Sequence, residues 1–359
     1  PRTESSTGAG HKDFDVRSNE TLPVETDLER RDFTINSMAL HLAENRIVDP
    51  LDGQDDLERK ILRVNRPTSF VEDPLRILRG VQFMARFSLV VEEGTRALME
   101  EHRELLDTVS LERVRNELNK LMLAPRPSEG FVFMHETGIL PVVLPELEGT
   151  WGVSQNEFHP DDVFYHSIKS CNAAEPELDV RWSALLHDLG KPKMKREVEG
   201  RTVFYGHQDE SADISQAILN RLRFPKEFVQ KVVHLVRHHM FNITEEWTDR
   251  ALRRFLSKLG PENIDRLLAL RLADMRSRGD EDVENQVAWV RGELQRIIDS
   301  EAALKRTDLE VTGKDVIEVL GLEPGKEVGD VLQRLLDMVI DEPELNNREK
   351  LLELIEEMK

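Results

Sequence analysis

The adjacent residues His187 and Asp188, in "LLHDLGKP", are the clearest candidates for chemistry. An apolar run precedes them and Gly190 and Pro192 follow, so the pattern predicts a helix that ends with an imidazole beside a carboxylate. The same region holds more potential ligands: His166, His207, His238, His239 and Asp274. Imidazole and carboxylate together fit Mn, Fe, Zn, Co or Mg. The order of these residues predicts a divalent-metal site, although any one of these histidines alone fits an ordinary core or surface position better.

A second group combines acids and arginines in "FVEDPLRILR". Pro74 suits a first helical turn, and a helix that starts near Glu72 would place Asp73, Arg76 and Arg79 in a row on one face. A carboxylate accepts from an exocyclic amino group while a guanidinium donates to a ring nitrogen, which is the pattern that cytosine and adenine share. The row could therefore admit CTP and ATP and reject GTP and UTP. Surface ion pairs along a helix are the alternative.

Periodicity predicts the elements that position these groups. Residues 1 to 65 mix strand-like pieces, such as "RIVDP" and "ILRV", with turn formers. From about residue 70 onward, apolar residues recur three and four positions apart, which predicts a mainly α body. After about residue 280 the chain becomes acidic and rich in leucine, as expected of amphipathic tail helices.

Composition limits the functional class. The 359 residues carry a formal charge of −20, which argues against a basic nucleic-acid coat or a membrane-surface protein. The single cysteine, Cys171, excludes a disulfide framework and a cysteine zinc site. No apolar stretch reaches the roughly 18 residues of a membrane span. We expect a soluble cytoplasmic protein without a membrane partner, whose natural start lies upstream of Pro1.

Four motifs carry a family resemblance: "DLERRDFTINSMAL", "IVDPLDGQDDLERKILR", "FVEDPLRILR" and "VSLERVRNEL". Their order resembles that of class II tRNA nucleotidyltransferases, the CCA-adding enzymes, and of related bacterial poly(A) polymerases, in the version that carries an HD domain. The resemblance implies a mainly α chain of four domains. These are a remnant of an α/β nucleotidyltransferase head (1–65), a helical neck and body that binds nucleotide and RNA (66–148), an all-α HD phosphohydrolase domain (149–280) and a helical tail (281–359).

The resemblance also implies a nucleotide-binding set: Arg2, Arg31, Asp32, Asp73, Arg76 and Arg79. Arg31 and Asp32 would contact the ribose of the incoming nucleotide. Asp73 and Arg76 would act as a protein template for its base. Gln82 departs from the family pattern, which usually has an arginine there.

For the HD domain, the resemblance implies His187 and Asp188 as catalytic residues. A first metal would be held by His166, His187, Asp188 and Asp274, and a second by His207 and His238, with His239 nearby. The ion would be Mn, Co, Ni, Mg or Fe, and would lower the pKa of a bound water for attack on a phosphomonoester or a 2′,3′-cyclic phosphate. Lys191 either helps neutralise that phosphate or is a solvated lysine.

One family feature is missing. Nucleotidyl transfer is implied to use two Mg²⁺ ions held by an Asp-x-Asp strand after a Gly-Gly loop, and the start of this chain has no Gly-Gly. Asp13 and Asp15 share a strand face in "KDFDV", but the resemblance places them after the catalytic strand. It therefore implies an N-terminally truncated chain that keeps the nucleotide-selecting residues without the groups that activate the 3′-hydroxyl.

The implied partners are tRNA, CTP and ATP, and the sequence does not indicate an oligomeric state. A basic strip for RNA would combine Arg76 and Arg79 with Arg86, Arg113, Arg115 and Lys120, although a solvated helix face explains these residues almost as well. We favour CCA addition by the parent enzyme. The alternatives are a stand-alone HD phosphohydrolase, an A-adding enzyme or poly(A) polymerase, and a purely RNA-binding fragment.

Overall fold

The computed structural model describes residues 2–6, 14–18, 23–155, 161–300 and 303–359, with backbone alone for the first two ranges. The helices of these ranges are α1 (Val24–Glu29), α2 (Gly53–Glu58), α3 (Ser69–Glu72), α4 (Leu75–Phe87), α5 (Glu93–His102), α6 (Leu111–Met122), α7 (Pro127–Glu136), α8 (Leu140–Val143), α9 (Pro145–Glu148), α10 (Val163–Ala173), α11 (Leu178–Leu186), α12 (Lys191–Met194), α13 (His207–Arg221), α14 (Lys226–Arg237), α15 (Asp249–Leu259), α16 (Ile264–Arg278), α17 (Val283–Asp299), α18 (Gly313–Leu320), α19 (Lys326–Asp341) and α20 (Arg348–Glu356). The prediction of a mainly α protein is confirmed.

The strands form four two-stranded sheets among the described residues. Three pairs are antiparallel: β1 (Arg2–Ser6) with β2 (Phe14–Ser18), β3 (Ala39–His41) with β4 (Arg46–Val48), and β7 (Arg196–Val198) with β8 (Arg201–Val203). β5 (Ile61–Leu62) pairs in parallel with β6 (Val90–Val91). The strand-like pieces predicted at "RIVDP" and "ILRV" are therefore present as β4 and β5, in shortened form.

The chain divides into two compact units. The first comprises Pro1–Arg237 and Ala273–Gly279, and the second comprises His238–Leu272 and Asp280–Lys359. The four predicted domain boundaries remain a prediction. No helix in the described ranges is both long and apolar enough to cross a bilayer.

The first unit is built on helices that share one apolar core. α4 packs against α6 and α7, while α10, α11, α13 and α14 continue the stack. α4 buries Ile77, Val81 and Met84 at helical spacing. Gly80 lets neighbouring side chains approach the helix, because a Cβ there would lie 2.9 Å from the buried ring of Phe33.

One buried arginine connects three helices of the first unit. Arg181 of α11 donates to the carbonyl oxygens of Met122 and Ala124, at the end of α6, and to that of Ala174, at the end of α10. The distances to the Ala124 and Ala174 oxygens are 2.7 and 3.1 Å. Because carbonyls at helix ends lack intrahelical partners, this guanidinium satisfies groups that would otherwise be buried without one.

In the second unit, α15 packs against α17 and α19, and α18 packs against α19 and α20. Leu252, Leu256 and Leu259 form the buried stripe of α15. Arg254 and Lys258 are exposed on the same helix, so α15 is apolar inside and basic outside.

The predicted start of α4 is wrong. The helix begins at Leu75, and Asp73 adopts an extended conformation (φ −146°, ψ 96°) between α3 and α4. Asp73 precedes Pro74, and the proline ring disfavours helical angles in the preceding residue. Asp73 therefore lies before the helix, and does not share a helical ridge with Arg76 and Arg79.

Candidate functional site

Asp73 is held by two donors at the start of α4. Its Oδ1 accepts from the backbone amide of Leu75 at 3.3 Å, and its Oδ2 accepts from Nη2 of Arg113 at 2.8 Å. Arg113 reaches it from α6, and both side chains are about one quarter exposed. The carboxylate is thus fixed in place while part of it still faces solvent.

Asp32 and Arg79 form the closest ion pair of this region. Nε of Arg79 donates to Oδ2 of Asp32 at 2.5 Å, and Nδ2 of Asn36 donates to Oδ1 at 2.8 Å. The Asp32 side chain is only 7% exposed. The resemblance implied that Asp32 contacts a ribose, but here both of its oxygens accept bonds from protein groups, and that role remains a prediction.

Arg76 lies between Asp73 and Arg79 in the sequence. Its Nη2 donates to the carbonyl oxygen of Arg30 at 3.0 Å, and its Nη1 lies 3.7 Å from Oε2 of Glu72. Arg31 is more exposed and donates to the carbonyl oxygen of Asn36 at 2.8 Å. The segment 28–40 and the start of α4 therefore meet through guanidinium contacts.

Burial and neighbouring acids act in opposite directions on these guanidiniums. Burial lowers the pKa of Arg76 despite the nearby charges of Asp32 and Asp73. Burial also opposes the charge on Arg79, but the charge and hydrogen bond of Asp32 outweigh it and raise the pKa of Arg79. Arginine stays charged in both settings, so the region presents fixed positive charge beside fixed carboxylates.

The residues of the predicted basic strip each contact a protein acceptor. Arg86 donates to Oε1 of Gln82 at 3.2 Å, Arg115 donates to the carbonyl oxygen of Arg223, and Lys120 donates to Oε1 of Glu117 at 2.7 Å. Arg113 contacts Asp73, as described above. Their RNA-binding role stays a prediction.

For the candidate residues near the start of the chain, the structure gives strand positions only. Arg2 lies in β1 opposite Ser18, and Asp15 lies in β2 opposite Ser5. Asp13 lies outside the described residues.

A second cluster joins four of the predicted metal ligands. Nε2 of His166 lies 3.2 Å from Nε2 of His187, 3.3 Å from Oδ2 of Asp188 and 3.2 Å from Oδ1 of Asp274. Nε2 of His187 lies 3.2 Å from the same Asp188 oxygen. All four side chains are buried, and the ring nitrogens and carboxylate oxygens point toward one small volume.

The opposite ring nitrogens of His166 and His187 each contact an oxygen acceptor. Nδ1 of His187 donates to the carbonyl oxygen of Ala184 at 2.8 Å. The Ser277 hydroxyl donates to the Asp274 carbonyl, so its oxygen can accept from Nδ1 of His166 at 3.1 Å. With a divalent ion bound, both rings would be neutral and would direct an Nε2 lone pair into the cluster, which is the arrangement that metal-binding histidines adopt. The donor set fits a hard or borderline divalent ion.

The sequence spacing explains how the chain builds this cluster. α10 carries His166, α11 ends at Leu186 and places His187 and Asp188 directly after it, and α16 carries Asp274. Gly190 follows, where a Cβ would lie 2.5 Å from the His207 carbonyl oxygen and 2.7 Å from the Ser211 amide nitrogen. Only a glycine therefore lets the turn after Asp188 pack on the start of α13.

His207 and Lys191 extend the cluster on the other side of Asp188. Nε2 of His207 lies 3.2 Å from Oδ1 of Asp188, and its Nδ1 donates to the Phe204 carbonyl oxygen at 2.8 Å. Nζ of Lys191 lies 2.6 Å from Oδ2 of Asp188 and is buried, so it is not the solvated lysine of the alternative interpretation. His238 and His239 belong to the second unit, and their place in a second metal site remains a prediction.

The charges in the cluster raise the pKa of His166 and lower the pKa values of Asp188 and Asp274. Burial disfavours the charged imidazole of His166, but hydrogen bonds to Asp188 and Asp274 outweigh this and raise its pKa. Burial disfavours charged Asp188 and Asp274, but the neighbouring imidazoles hold the pKa of each carboxyl well below its ordinary value, and Lys191 adds to this at Asp188. The carboxylates are therefore ionised at neutral pH.

Sequence reasoning missed three supporting residues. Ser277 orients His166, Gln155 accepts from Nζ of Lys191 at 2.6 Å, and Asn36 holds Asp32. Ser277 was accessible to prediction, because it follows Asp274 by three positions on a helix. Nothing in the spacing of Gln155 or Asn36 marks them.

Comparisons with known proteins extend this picture along the chain. Residues 2–63 match a model described as "Poly A polymerase head domain", and residues 89–149 match "Probable RNA and SrmB- binding site of polymerase A". Residues 202–355 match a model of tRNA nucleotidyltransferase domain 2.

Several whole proteins are similar in sequence. The A-adding tRNA nucleotidyltransferase of Deinococcus radiodurans is 35% identical over 332 residues, which are 88% of this chain and 75% of that protein. The Multifunctional CCA protein of Xanthomonas campestris pv. campestris is 36% identical over 330 residues, 87% of this chain and 79% of that protein. The CC-adding tRNA nucleotidyltransferase of Thermus thermophilus is 35% identical and shares 88% of this chain and 73% of its own length.

The fold is similar to that of the Bacillus stearothermophilus CCA-adding enzyme, solved in complex with CTP. The TM-score is 0.69 at 23% identity, over 96% of this chain and 76% of the other. These similarities define a nucleotidyltransferase. This chain belongs to the class II tRNA nucleotidyltransferase family, as its motifs indicated.

Proposed function

We propose that this protein acts as a CCA-adding tRNA nucleotidyltransferase, which takes CTP and ATP and extends the 3′ end of tRNA. The relatives include CCA-, CC- and A-adding enzymes, so A-only addition is the alternative product pattern, and poly(A) synthesis is a further one. The position of Asp73 and Arg76 at the start of α4 carries the proposal.

Base selection follows from which group donates. The ionised Asp73 carboxylate accepts from the exocyclic amino group of cytosine or adenine, and the Arg76 guanidinium donates to the adjacent ring nitrogen. Uracil and guanine present a carbonyl and an N–H at these positions, so each would face a mismatched group. Arg113 and the Leu75 amide fix the carboxylate, and the Arg30 carbonyl holds the guanidinium, so little ordering remains when a base arrives.

The triphosphate side uses charge that is already fixed. Arg79 supplies a guanidinium beside segment 28–40, where Asp32 orients it, while Arg31 of that segment keeps its proposed place at the ribose. Mg²⁺, the ion implied for this family, would neutralise charge on the transferred phosphate when bound.

Nucleotide binding to this chain tests the selection step separately from catalysis. We expect CTP and ATP to bind more tightly than UTP and GTP in isothermal titration calorimetry. Asp73→Asn with Arg76→Ala should remove this preference. Arg59→Ala, which changes an exposed arginine that pairs with Asp55, should leave it intact. Equal affinity of the wild-type chain for CTP and UTP would refute the template.

A second candidate function rests on the buried imidazole and carboxylate cluster. We propose that it is the centre of an HD-type phosphohydrolase acting on phosphomonoesters or 2′,3′-cyclic phosphates. Its support is the convergence of His166, His187, Asp188 and Asp274, with each of the two imidazoles oriented through its Nδ1. These four residues would hold a divalent ion, which when bound would lower the pKa of a water molecule and polarise the phosphate.

Lys191 has a separate role in this proposal. It is buried and held by Asp188 and Gln155, so its ammonium lies at a fixed place beside the cluster. A fixed cation there neutralises part of the phosphate charge.

Hydrolysis of 2′,3′-cyclic AMP with Mn, Co, Ni or Mg tests the second function. We expect His187→Ala with Asp188→Ala to abolish both hydrolysis and metal retention, while the exposed His41→Ala leaves both unchanged. Circular dichroism of each variant separates loss of the site from loss of the fold. Retained hydrolysis in the folded double variant would disprove the assignment.

A further inference from the structure

The second unit contains a concave pocket that none of the functions above uses. It has a volume of about 590 Å³ and lies between α15, the segment 304–306 and α19. Ten residues line it: Arg254, Ser257, Lys258, Leu304, Lys305, Arg306, Gln333, Leu336, Asp337 and Ile340. Pockets of this size hold small ligands, whereas a contact surface for a long polymer is usually flatter and longer.

The apolar lining of the pocket is part of the folded core. Leu304, Leu336 and Ile340 are each at most 5% exposed. Leu336 and Ile340 are held by the packing of α19 against α15, and Leu304 lies in the adjoining segment 304–306, so the three side chains present a small hydrocarbon surface to the pocket. Such a wall suits the flat face of a ring.

The opposite lining is cationic, although this part of the chain is acidic overall. Arg254 shares the Asp341 carboxylate with Arg250, and Lys305 pairs with Glu262 at 2.8 Å. Lys258 and Arg306 are exposed, and within the described ranges neither forms a hydrogen bond or ion pair with a side chain. Asp341 offsets one of its two arginines, Glu262 offsets Lys305, and the lining carboxylate Asp337 offsets one of the two further cations. The rim is still net positive, which favours a phosphate group.

Hydroxyl-binding groups lie on the same pocket surface. Nε2 of Gln333 donates to Oδ1 of Asp337 at 3.0 Å, one turn apart on α19. The other oxygen of that exposed carboxylate can accept from a ribose hydroxyl, as acids do in nucleotide sites. Ser257 adds a hydroxyl from α15.

We propose that this pocket binds a nucleoside monophosphate. The phosphate contacts Lys258 and Arg306, a ribose hydroxyl donates to Asp337, and the base lies against Leu304, Leu336 and Ile340. The site shares no residue with the base-selecting groups at α4 or with the imidazole cluster. It therefore gives the second unit a nucleotide-binding function of its own.

Titration of the whole chain with AMP tests this proposal. The titrations use an Arg76→Ala/His187→Ala/Asp188→Ala background, so that neither the α4 site nor the imidazole cluster contributes. Hydrogen exchange of α15 and α19 peptides in the unmodified chain locates the bound AMP. Lys258→Ala with Arg306→Ala should weaken AMP binding about tenfold or more, because two charge-assisted contacts are lost. Both residues are exposed, so the fold should tolerate their removal.

Two controls separate this binding from general charge effects. Lys314→Ala with Lys326→Ala removes the same charge from exposed positions outside the pocket and should leave the affinity unchanged. Asp337→Asn should reduce AMP affinity without weakening the binding of inorganic phosphate, because only AMP has a ribose and loss of the carboxylate charge does not oppose an anion.

Each outcome decides the proposal. AMP protection of α15 and α19 that is lost in Lys258→Ala/Arg306→Ala supports it. Absence of AMP binding, or binding unaffected by that double variant, overturns it. Tight binding of a short RNA without measurable AMP binding, lost in the same variant, also overturns it and would assign the surface to an RNA backbone.

Discussion

The contact between Arg113 and Asp73 should control base discrimination. Nη2 of Arg113 lies 2.8 Å from Oδ2 of Asp73, and the two side chains are 28% and 25% exposed. A charge-assisted hydrogen bond with this much solvent access stabilises the carboxylate position by about 1–2 kcal/mol. This corresponds to a loss of roughly 5- to 30-fold in the preference for CTP over UTP when the contact is removed.

Arg113→Met is the suitable variant, because it removes the guanidinium and keeps most of the hydrocarbon. The ratio of the CTP and UTP dissociation constants, measured by calorimetry, is the readout. Arg115→Met is the matched control two positions along α6, where the guanidinium donates to the Arg223 carbonyl and not to Asp73. A double-mutant cycle with Asp73→Asn isolates the coupling between the two residues.

Two results would refute this reasoning. Unchanged discrimination in Arg113→Met would show that Asp73 does not depend on the contact. An equal loss in Arg115→Met would show a general effect of charge on α6. The double variant Arg113→Met/Arg115→Met also tests the basic strip, because unchanged tRNA affinity would remove both residues from it.

Three further predictions concern stability and the metal cluster. Arg181→Met should lower the free energy of unfolding by about 3 kcal/mol in urea denaturation, because carbonyls at the ends of α6 and α10 lose their donor. The surface variant Arg126→Met should change the free energy of unfolding by no more than about 0.5 kcal/mol. Gly190→Ala should lower the free energy of unfolding by about 1–3 kcal/mol and weaken metal retention, because the new Cβ would meet backbone atoms. Gly292→Ala, inside α17, places a Cβ where no atom lies within 4 Å, and should raise the free energy of unfolding by up to about 1 kcal/mol. The Arg348 hydrogen bond, with those of Thr312, lowers the pKa of Asp315 from 3.8 to about 2. The ionised Asp315 therefore stabilises the folded protein fully above the ordinary pKa of the carboxyl, and this contribution is lost as the pH falls through about 2. Asp315→Asn should make the free energy of unfolding less dependent on pH in the acid range, and an unchanged pH dependence would contradict this.

The sequence predicted the imidazole and carboxylate cluster better than the α4 region. Four candidate ligands were recognisable because histidine is scarce, with 11 in the chain, because one of the aspartates directly follows a histidine, and because each lies on or next to a helix whose apolar spacing is clear. Their convergence depends on long-range packing of α10, α11 and α16, which spacing alone does not provide. Residues such as Gln155 act through that packing, so their role was not visible in advance.

The error at α4 has a different origin. The acidic residues before Pro74 suit a helix N-terminus and predict a helix that includes Asp73, although the following proline disfavours a helical conformation at that residue. The contact between Asp73 and Arg113 joins positions 40 residues apart, and the sequence offered only a basic residue on another amphipathic helix. Local rules could have corrected the helix start, but only the tertiary structure identifies the partner.

The three hydrogen bonds that Arg181 donates to carbonyl oxygens couple helices of the first unit mechanically. α6 carries Arg113 in its first turn. The residues at its other end accept hydrogen bonds from Arg181 of α11, the helix that is followed directly by His187. These hydrogen bonds link α6 to α11, so we expect a displacement of α6 along its axis to shift α11 as well. A change at the Arg113 end of α6 should therefore alter the position of His187.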